Sequence, residues 1–291
     1  MREKSVSWPV FKHWLKLGRW RMRRSVTALR WGIEELAKSP AVLGNAMPKS
    51  GSHLIIQVLQ GLTHLGPFVN PGFPPVNRTE DNRKLPAEAV LANIHAMRPG
   101  DIGYGYLHAR QPFIEALTRP GKAMVFVYRD PRDMIVSHVF YATEMHRGHG
   151  MHRYYTEVLR TMEERINAAI GGVDEDGFEL SNINVKYERY LDWLQIPEVL
   201  ALRFEDLILD RDNALVCLLK YLEQRGFSPR MTQEQSVSTL KEAIAPSRSG
   251  TFRKGKPGNW QEYFTPANKR LFKEMAGNLL IQLGYEKDYG W

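Results

Sequence analysis

Residues 41–65 read AVLGNAMPKSGSHLIIQVLQGLTHL. Ala41–Met47 is a short apolar run that stops at Pro48, which predicts a buried strand. Lys49-Ser50-Gly51-Ser52 is a turn. Leu54, Ile55, Val58, Leu59, Leu62 and Leu65 then recur at the spacing of an amphipathic helix. Strand, small-residue turn and helix together form a cradle for phosphate. Gly51 lets the backbone come close, the N–H groups of residues 50–54 and the helix dipole face the anion, and Lys49 adds a mobile charge. An ordinary strand–turn–helix with a solvated lysine has the same local pattern, so the turn alone assigns no ligand. The nucleoside-triphosphate loop G-x-x-x-x-G-K-[ST] fits badly: Gly44 starts that spacing, but positions 49 and 50 are Lys and Ser where Gly and Lys are needed.

Further along, Lys122–Tyr128 (KAMVFVY) is a near-continuous apolar run, as in a central parallel strand. Ile102–Leu107 and Val199–Phe204 give two more strands. Helices are expected over Met134–Glu144 and over 153–170, 186–195, 211–225 and 265–283, with a proline-rich loop over 66–86. Strands alternating with helices predict an α/β fold, a P-loop-like doubly wound parallel sheet flanked by helices. Residues 39–291 form one domain on this reading, and 1–38 a basic helical arm.

The 291 residues are 43% apolar and carry a formal charge of +8, with a pI near 9.5. Such a balance favours anionic partners without choosing among them. Cys217 is the only cysteine, which leaves no intrachain disulfide and no cysteine-based metal site. The cationic N-terminus lacks a following apolar stretch, and no segment approaches the roughly 18–20 apolar residues of a membrane span. The expectation is a cytoplasmic protein, peripheral to membranes at most. Trp8, Phe11 and Leu15, and Trp14, Leu17 and Trp20, recur at helical spacing among arginines and lysines. Residues 8–38 therefore have two readings: an amphipathic helix on an anionic membrane, or an arm that packs its tryptophans on the domain.

Two distant segments bear on the cradle. In VFVYRDPRDMIVSHVFY (125–141), Arg129 ends the predicted strand, where open α/β sheets bind ligands, and Ser137 follows two helical turns on. The bland alternative is ion pairing of Arg129 with Asp133 or of Arg132 with Asp130. In FRKGKPGNWQEYFT (252–265), Arg253, Lys254 and Lys256 between glycines make a flexible basic clamp, or simply a solvated loop.

PKSGS (48–52), YRDPRDMIVSHVFY (128–141), LRFEDLILD (202–210) and FRKGKPGNW (252–260), in that order and spacing, resemble the sulfotransferase family that uses 3′-phosphoadenosine 5′-phosphosulfate, PAPS. The resemblance spans residues 41 to 285. It implies transfer of a sulfuryl group from PAPS to a hydroxyl or amine acceptor, with 3′-phosphoadenosine 5′-phosphate (PAP) as the product. Ser50, Gly51, Ser52, His53 and Leu54 would hold the 5′-phosphosulfate. Arg129, Ser137 and the Arg253-Lys254-Gly255 loop would hold the 3′-phosphate. Where the family often has an adenine-stacking Trp this chain has Leu54, and where it has Tyr this chain has Phe204.

Sulfuryl transfer needs a cation near the leaving oxygen and a base for the acceptor proton. Lys49 is the cation. In YGYLHARQPF (104–113) His108 stands near the family's histidine spacing, although alignment on Gly105 and Leu107 places Tyr106 in that slot; His108 is the first choice, with Tyr106 and His53 as substitutes. His146, His149 and His152 recur every three residues, but Gly148 and Gly150 point to a loop, and neither a metal nor nucleic acid is expected. The rival function is a P-loop small-molecule kinase using ATP and magnesium.

Overall fold

The computed structural model describes residues 8–175, 177–245, 247 and 255–291, with 8–13 as backbone alone. Strand β1, Ala41–Ala46, is buried along its whole length. It pairs in parallel with β2 (Ile102–Gly105) on one side and β3 (Lys122–Tyr128) on the other. A short antiparallel hairpin, β4 (Val173–Glu175) with β5 (Phe178–Leu180), stands apart. The strand β6 (Val199–Arg203) joins β3 in parallel, so the main sheet runs β2-β1-β3-β6. Both of its faces are covered. Ala123, Val125 and Val127 of β3 pack with Leu59 of the Ser52–Leu65 helix, Leu215 of Arg211–Glu223 and Leu240 of Gln233–Ala243. Met124 and Phe126 face the Pro131–Phe140, Met162–Gly171 and Pro266–Ala276 helices on the other side. This alternation along one strand is the period-two pattern of a strand buried on both faces. A Cβ at Gly44 would come within 2.8 Å of Leu59 Cδ1, so glycine there lets the Ser52–Leu65 helix lie close on β1.

Some expected boundaries shift for local reasons. The helix expected over 153–170 is broken. Tyr154–Val158 is a π-turn, and a new helix starts at Met162 because Thr161 and Glu164 form a capping box. The one expected over 186–195 starts earlier, at Ile183, behind the Asn182 cap, and becomes a 3-10 turn from Asp192. The one over 265–283 stops at Ala276, before Gly277 with φ 53°, and resumes at Leu279. The helices Ala87–Ala96, Phe113–Thr118 and Gln233–Ala243 add to those expected.

The arm is helical over Trp8–Trp31, turns at Gly32 (φ 101°) and continues over Ile33–Lys38. Its inner face packs on the β2 edge. Trp20 is buried and its Nε1 donates to Asp101 Oδ1 at 2.9 Å, while Arg24 Nη1 reaches the same oxygen at 2.7 Å. Trp31 is also buried, with the Arg230 guanidinium 5.2 Å from its ring centre. Leu15, Met22, Val26 and Leu29 point away from the domain and are exposed.

Candidate active site

The chain leaves β1 through Met47-Pro48 and enters the turn. Lys49 has φ 69° and Gly51 φ 95°, two left-handed residues separated by one. A lysine is uncommon in that region, and such strain is held where a surrounding structure imposes it. Gly51 is required twice, because a Cβ there would also lie 2.5 Å from Phe204 Cδ2. The Ser52–Leu65 helix begins here with no side-chain cap. The Leu54 N–H donates to the Gly51 carbonyl at 2.9 Å, the N–H groups of Ser52 and His53 precede any acceptor within the helix, and the helix dipole places partial positive charge at this end.

A cavity of about 310 Å³ opens in front of this helix end. Lys49, Gly51, Ser52, His53 and Leu54 line one side, and Arg129, Ser137 and Phe204 another; Gly255 and Lys256 close it from the C-terminal loop. Ser50 of the turn is fully buried beneath. The structure thus brings Lys49, Gly51, Ser52, His53, Leu54, Arg129, Ser137, Phe204 and Gly255 to one cavity. Arg253 and Lys254 lie outside the described residues. Among the lining residues that carry no expectation from sequence are Arg78 in the 66–86 loop, Tyr141 and Arg211. Among the described lining residues there are five lysines and arginines (Lys49, Arg78, Arg129, Arg211 and Lys256) and no carboxylate.

Arg129 is aimed by the fold. It follows the last residue of β3, its Nη1 donates to the Lys49 carbonyl at 3.4 Å, and its guanidinium lies 4.4 Å from the Phe204 ring centre. Its Nε is buried and has no hydrogen-bond partner among the described residues. The Arg129–Asp133 pair forms, at 3.4 Å, but it is buried and does more than neutralise charge. Asp133 Oδ2 also accepts the Gly258 N–H, and Oδ1 the Trp260 N–H, both at 2.8 Å. Burial pushes the Asp133 carboxyl up, against the pull of Arg129 and these amides. The Arg132–Asp130 pair forms as well, with Arg132 stacked 3.9 Å from the Trp260 ring centre and bonded to Glu286. RDPRD therefore joins the end of β3 to the C-terminal loop.

The residues weighed as base separate. Tyr106 lines the cavity, and its hydroxyl is 3.3 Å from Ser52 Oγ. His53 lines it too; burial first, and then Lys49, lower its pKa and favour the neutral imidazole. His108 does not line the cavity. It packs edge-on against Tyr190, ring centres 5.0 Å apart, and burial followed by Arg189, Arg110 and Lys84 lowers its pKa. The reason lies in how the chain leaves β2. Asn45 bonds both backbone groups of Leu107, Asn77 those of Tyr106, and Trp193 Nε1 also donates to the Leu107 carbonyl. Leu107 is thereby buried in the core, with Tyr106 turned to Ser52 and His108 to Tyr190.

Lys49 Nζ sits 3.8 Å over the Tyr141 ring. His146 stacks on that ring and His149 meets it edge-on, while His152 Nδ1 lies 2.7 Å from the Ala142 carbonyl. The histidines of the 146–152 segment thus support the wall that carries Lys49.

Similarity agrees with this geometry. The fold is like that of mouse sulfotransferase SULT7A1 complexed with PAP, at 16% identity over 88% of this chain and 93% of that one, TM-score 0.58. It is also like retinol dehydratase in complex with androsterone and inactive cofactor PAP, at 14% identity over 84% and 83%, TM-score 0.52. A second retinol dehydratase structure, in a complex with retinol and PAP, matches at 15% identity over 84% of each chain, TM-score 0.53. At such identities the likeness is one of fold. Among curated proteins no relative matches. The family model described as Sulfotransferase domain, however, matches residues 107–284, more than half of the sequence, and the chain belongs to that family.

Proposed function

We propose that this protein is a PAPS-dependent sulfotransferase acting on a hydroxyl-bearing acceptor, with amines as the second acceptor class. One observation carries the reading: a cavity with five cationic side chains and no carboxylate among its described lining residues, placed at an uncapped helix end. A ligand with two separated phosphate-type groups fits that distribution. The residues present also fit in detail, since Arg129 Nε and Asn259 Oδ1 are buried at the cavity without a hydrogen-bond partner among the described residues.

In this reading Gly51, Ser52 and His53 offer backbone N–H groups to the 5′-phosphosulfate, with the Ser52 hydroxyl beside them. Arg129 and Ser137, with the loop at Gly255, take the 3′-phosphate; Arg253 and Lys254 belong to the same proposed clamp. PAPS supplies a sulfur atom whose bond to the 5′-phosphate oxygen breaks as the acceptor oxygen bonds to it. Lys49 places its charge where that leaving oxygen becomes negative, and Tyr141 holds the ammonium there. Tyr106 is the group proposed to relay the acceptor's proton, because it stands at Ser52, with the neutral imidazole of His53 as the substitute. His108, the first choice from spacing, stands off the cavity and is proposed instead to support Tyr190. Leu54 and Phe204 offer the adenine apolar contact without a hydrogen bond.

The deciding experiment is calorimetric titration with PAP and with ATP plus magnesium. PAP binding tighter than ATP by tenfold or more is expected; ATP binding equal or better would move the chain to phosphoryl transfer. Lys49→Ala should then cut turnover by about 10²–10³-fold while PAP still binds.

No helix among the described residues is long and apolar enough to cross a membrane. The exposed Leu15, Met22, Val26 and Leu29, flanked by arginines, support a proposed peripheral contact with anionic lipid, beside the packing role of the inner face. Sedimentation with phosphatidylserine vesicles but not phosphatidylcholine vesicles, reversed by salt, is its test.

A further inference from the structure

Val76 and Asn77 of the 66–86 loop are laid along the end of β2. The Val76 N–H donates to the Tyr104 carbonyl at 2.8 Å, and the Asn77 side chain holds both backbone groups of Tyr106, at 3.0 and 3.2 Å. The Asn77 carbonyl accepts the Leu85 N–H at 3.1 Å, and Arg78 forms an antiparallel bridge with Lys84. The backbone of Arg78 is thereby fixed beside Tyr106, whose hydroxyl stands at Ser52. Arg78 also lines a second, largely apolar cavity of about 410 Å³, between the inner face of the arm, the 66–86 loop and β2. Among the described residues it is the only one that lines both spaces, so its side chain stands at the edge of the Lys49 cavity.

The Arg78 guanidinium has binding capacity left over. Its Nη1 donates to the Asn82 carbonyl at 3.2 Å, while its Nε is buried with no hydrogen-bond partner among the described residues. The nearest acid in the sequence, Glu80, is bonded instead to Lys16 of the arm, at 2.5 Å. A guanidinium in that state suits the oxygens of an anion, two at a time in the plane of its fork. The arginines of the Lys49 cavity also divide by position. Arg129 comes off β3 and lies over Phe204, whereas Arg78 shares the β2 wall with Tyr106.

We infer that Arg78 recognises the sulfuryl group of the donor, binding two of the outer oxygens on sulfur, and so separates PAPS from PAP. The inference rests on the sulfotransferase reading above. In that reading the turn at Ser52 holds the 5′-phosphosulfate and Lys49 takes the leaving oxygen, while the outer oxygens on sulfur have no side chain assigned to them. During transfer the sulfur's bond to the 5′-phosphate oxygen breaks, its electron pair staying on that oxygen. The acceptor oxygen bonds to sulfur and its proton passes to the base. Arg78 exchanges neither proton nor electrons; it holds the sulfur in line while those bonds change. PAP leaves Arg78 nothing to bind, so the contact that selects the donor does not retain the product.

The test uses the full chain without acceptor. Calorimetry compares two ligand pairs that differ by the sulfuryl group: PAPS with PAP, and adenosine 5′-phosphosulfate with AMP. Arg78→Met keeps the apolar stem and removes the charge. It should weaken PAPS and adenosine 5′-phosphosulfate by about tenfold or more, with PAP and AMP changed by less than about twofold. Arg78→Lys keeps the charge without the fork. Its PAPS affinity should fall between the parent and Arg78→Met, and it serves alone if the Met variant fails to unfold cooperatively. Equal losses within each pair, or no loss in either, overturn the inference, while PAP binding by the parent chain leaves the donor reading standing. A parent chain that binds neither PAPS nor PAP overturns that reading, and the role of Arg78 with it.

Discussion

The Lys49 cavity and the arm-side cavity touch at Arg78, yet their walls come from the chain in different ways. The first takes most of its lining from three short stretches, 48–54, 129–141 and 255–259, with Arg78, Tyr106, Phe204 and Arg211 among those added singly. Its chemistry is carried by backbone N–H groups, left-handed residues and fixed cations. The second takes a longer stretch, 70–80, from the 66–86 loop, and adds apolar side chains one or two at a time: Leu17 and Trp20 from the arm, Ile56 and Leu59 from the 52–65 helix, Ala96 from the 87–96 helix and Ile102 from β2. Anion binding constrains backbone shape, so it leaves glycines and cations at fixed spacing. Apolar enclosure asks only for volume, which many side chains supply, so it leaves no local pattern.

The comparison can be broken most sharply at the point where proton transfer is placed. Tyr106→Phe should lower kcat by about 10²–10⁴-fold with PAP affinity retained, while His108→Ala stays near the parent rate. A severe loss in His108→Ala with the fold intact would move the chemistry away from the Lys49 cavity as it is described above.

Asp101 tests the other wall. It is buried and accepts from Trp20 Nε1, Arg24 and the Arg98 N–H. Asp101→Ala leaves the Arg24 cation unpaired and should cost about 3–5 kcal/mol in urea unfolding. PAP affinity should be unchanged where the variant is folded, because the arm does not contribute to that site.

Arg129→Ala sharpens the first wall. It should weaken PAP by about 1.5–3 kcal/mol, and adenosine 5′-phosphosulfate, which lacks the 3′-phosphate, much less. Equal losses for the two ligands would remove Arg129 from the 3′-phosphate.

The smallest effect is one of pH. His138, one residue past Ser137, is half-buried with its Nε2 enclosed, and desolvation first, then Lys186, His149 and Lys49, hold its pKa well below the usual value. The unfolded chain therefore takes up this proton first, and stability falls as pH drops through the unfolded value near 6.5 towards the folded one. The slope from this group is at most about 1.4 kcal/mol per pH unit. His138→Gln should flatten urea midpoints measured between pH 7 and 5.5, with no flattening at pH 8.

Much of the first wall was legible because local geometry and local sequence coincide there. The Lys49–Leu54 turn, Arg129 at the end of β3 and Gly255 all follow from motif and strand position. Arg78 and Arg211 were not legible, since a cation in a loop or at a helix start looks like any solvated charge until the fold brings it to a cavity. Asp133 was visible only as a pair for Arg129; its hold on Gly258 and Trp260, more than a hundred residues away, is a tertiary fact. The choice between Tyr106 and His108 depended on the phase of the chain beyond Gly105. That phase is set by Asn45 and Asn77, distant residues whose side chains replace strand hydrogen bonds. The β2, β3 and β6 positions were readable from apolar runs, whereas the break after Tyr154–Val158 depended on a capping box inside an expected helix.

Asp133 also has a consequence for isotope labelling. One of its oxygens is shared between the Arg129 guanidinium and the Gly258 amide. An anion that draws Arg129 towards itself leaves that oxygen to the amide alone. Deuterium uptake at Gly258 should then slow when PAP is added, and the same amide should not respond in Arg129→Ala. The C-terminal loop thus carries its own occupancy reporter, readable in solution without any acceptor present.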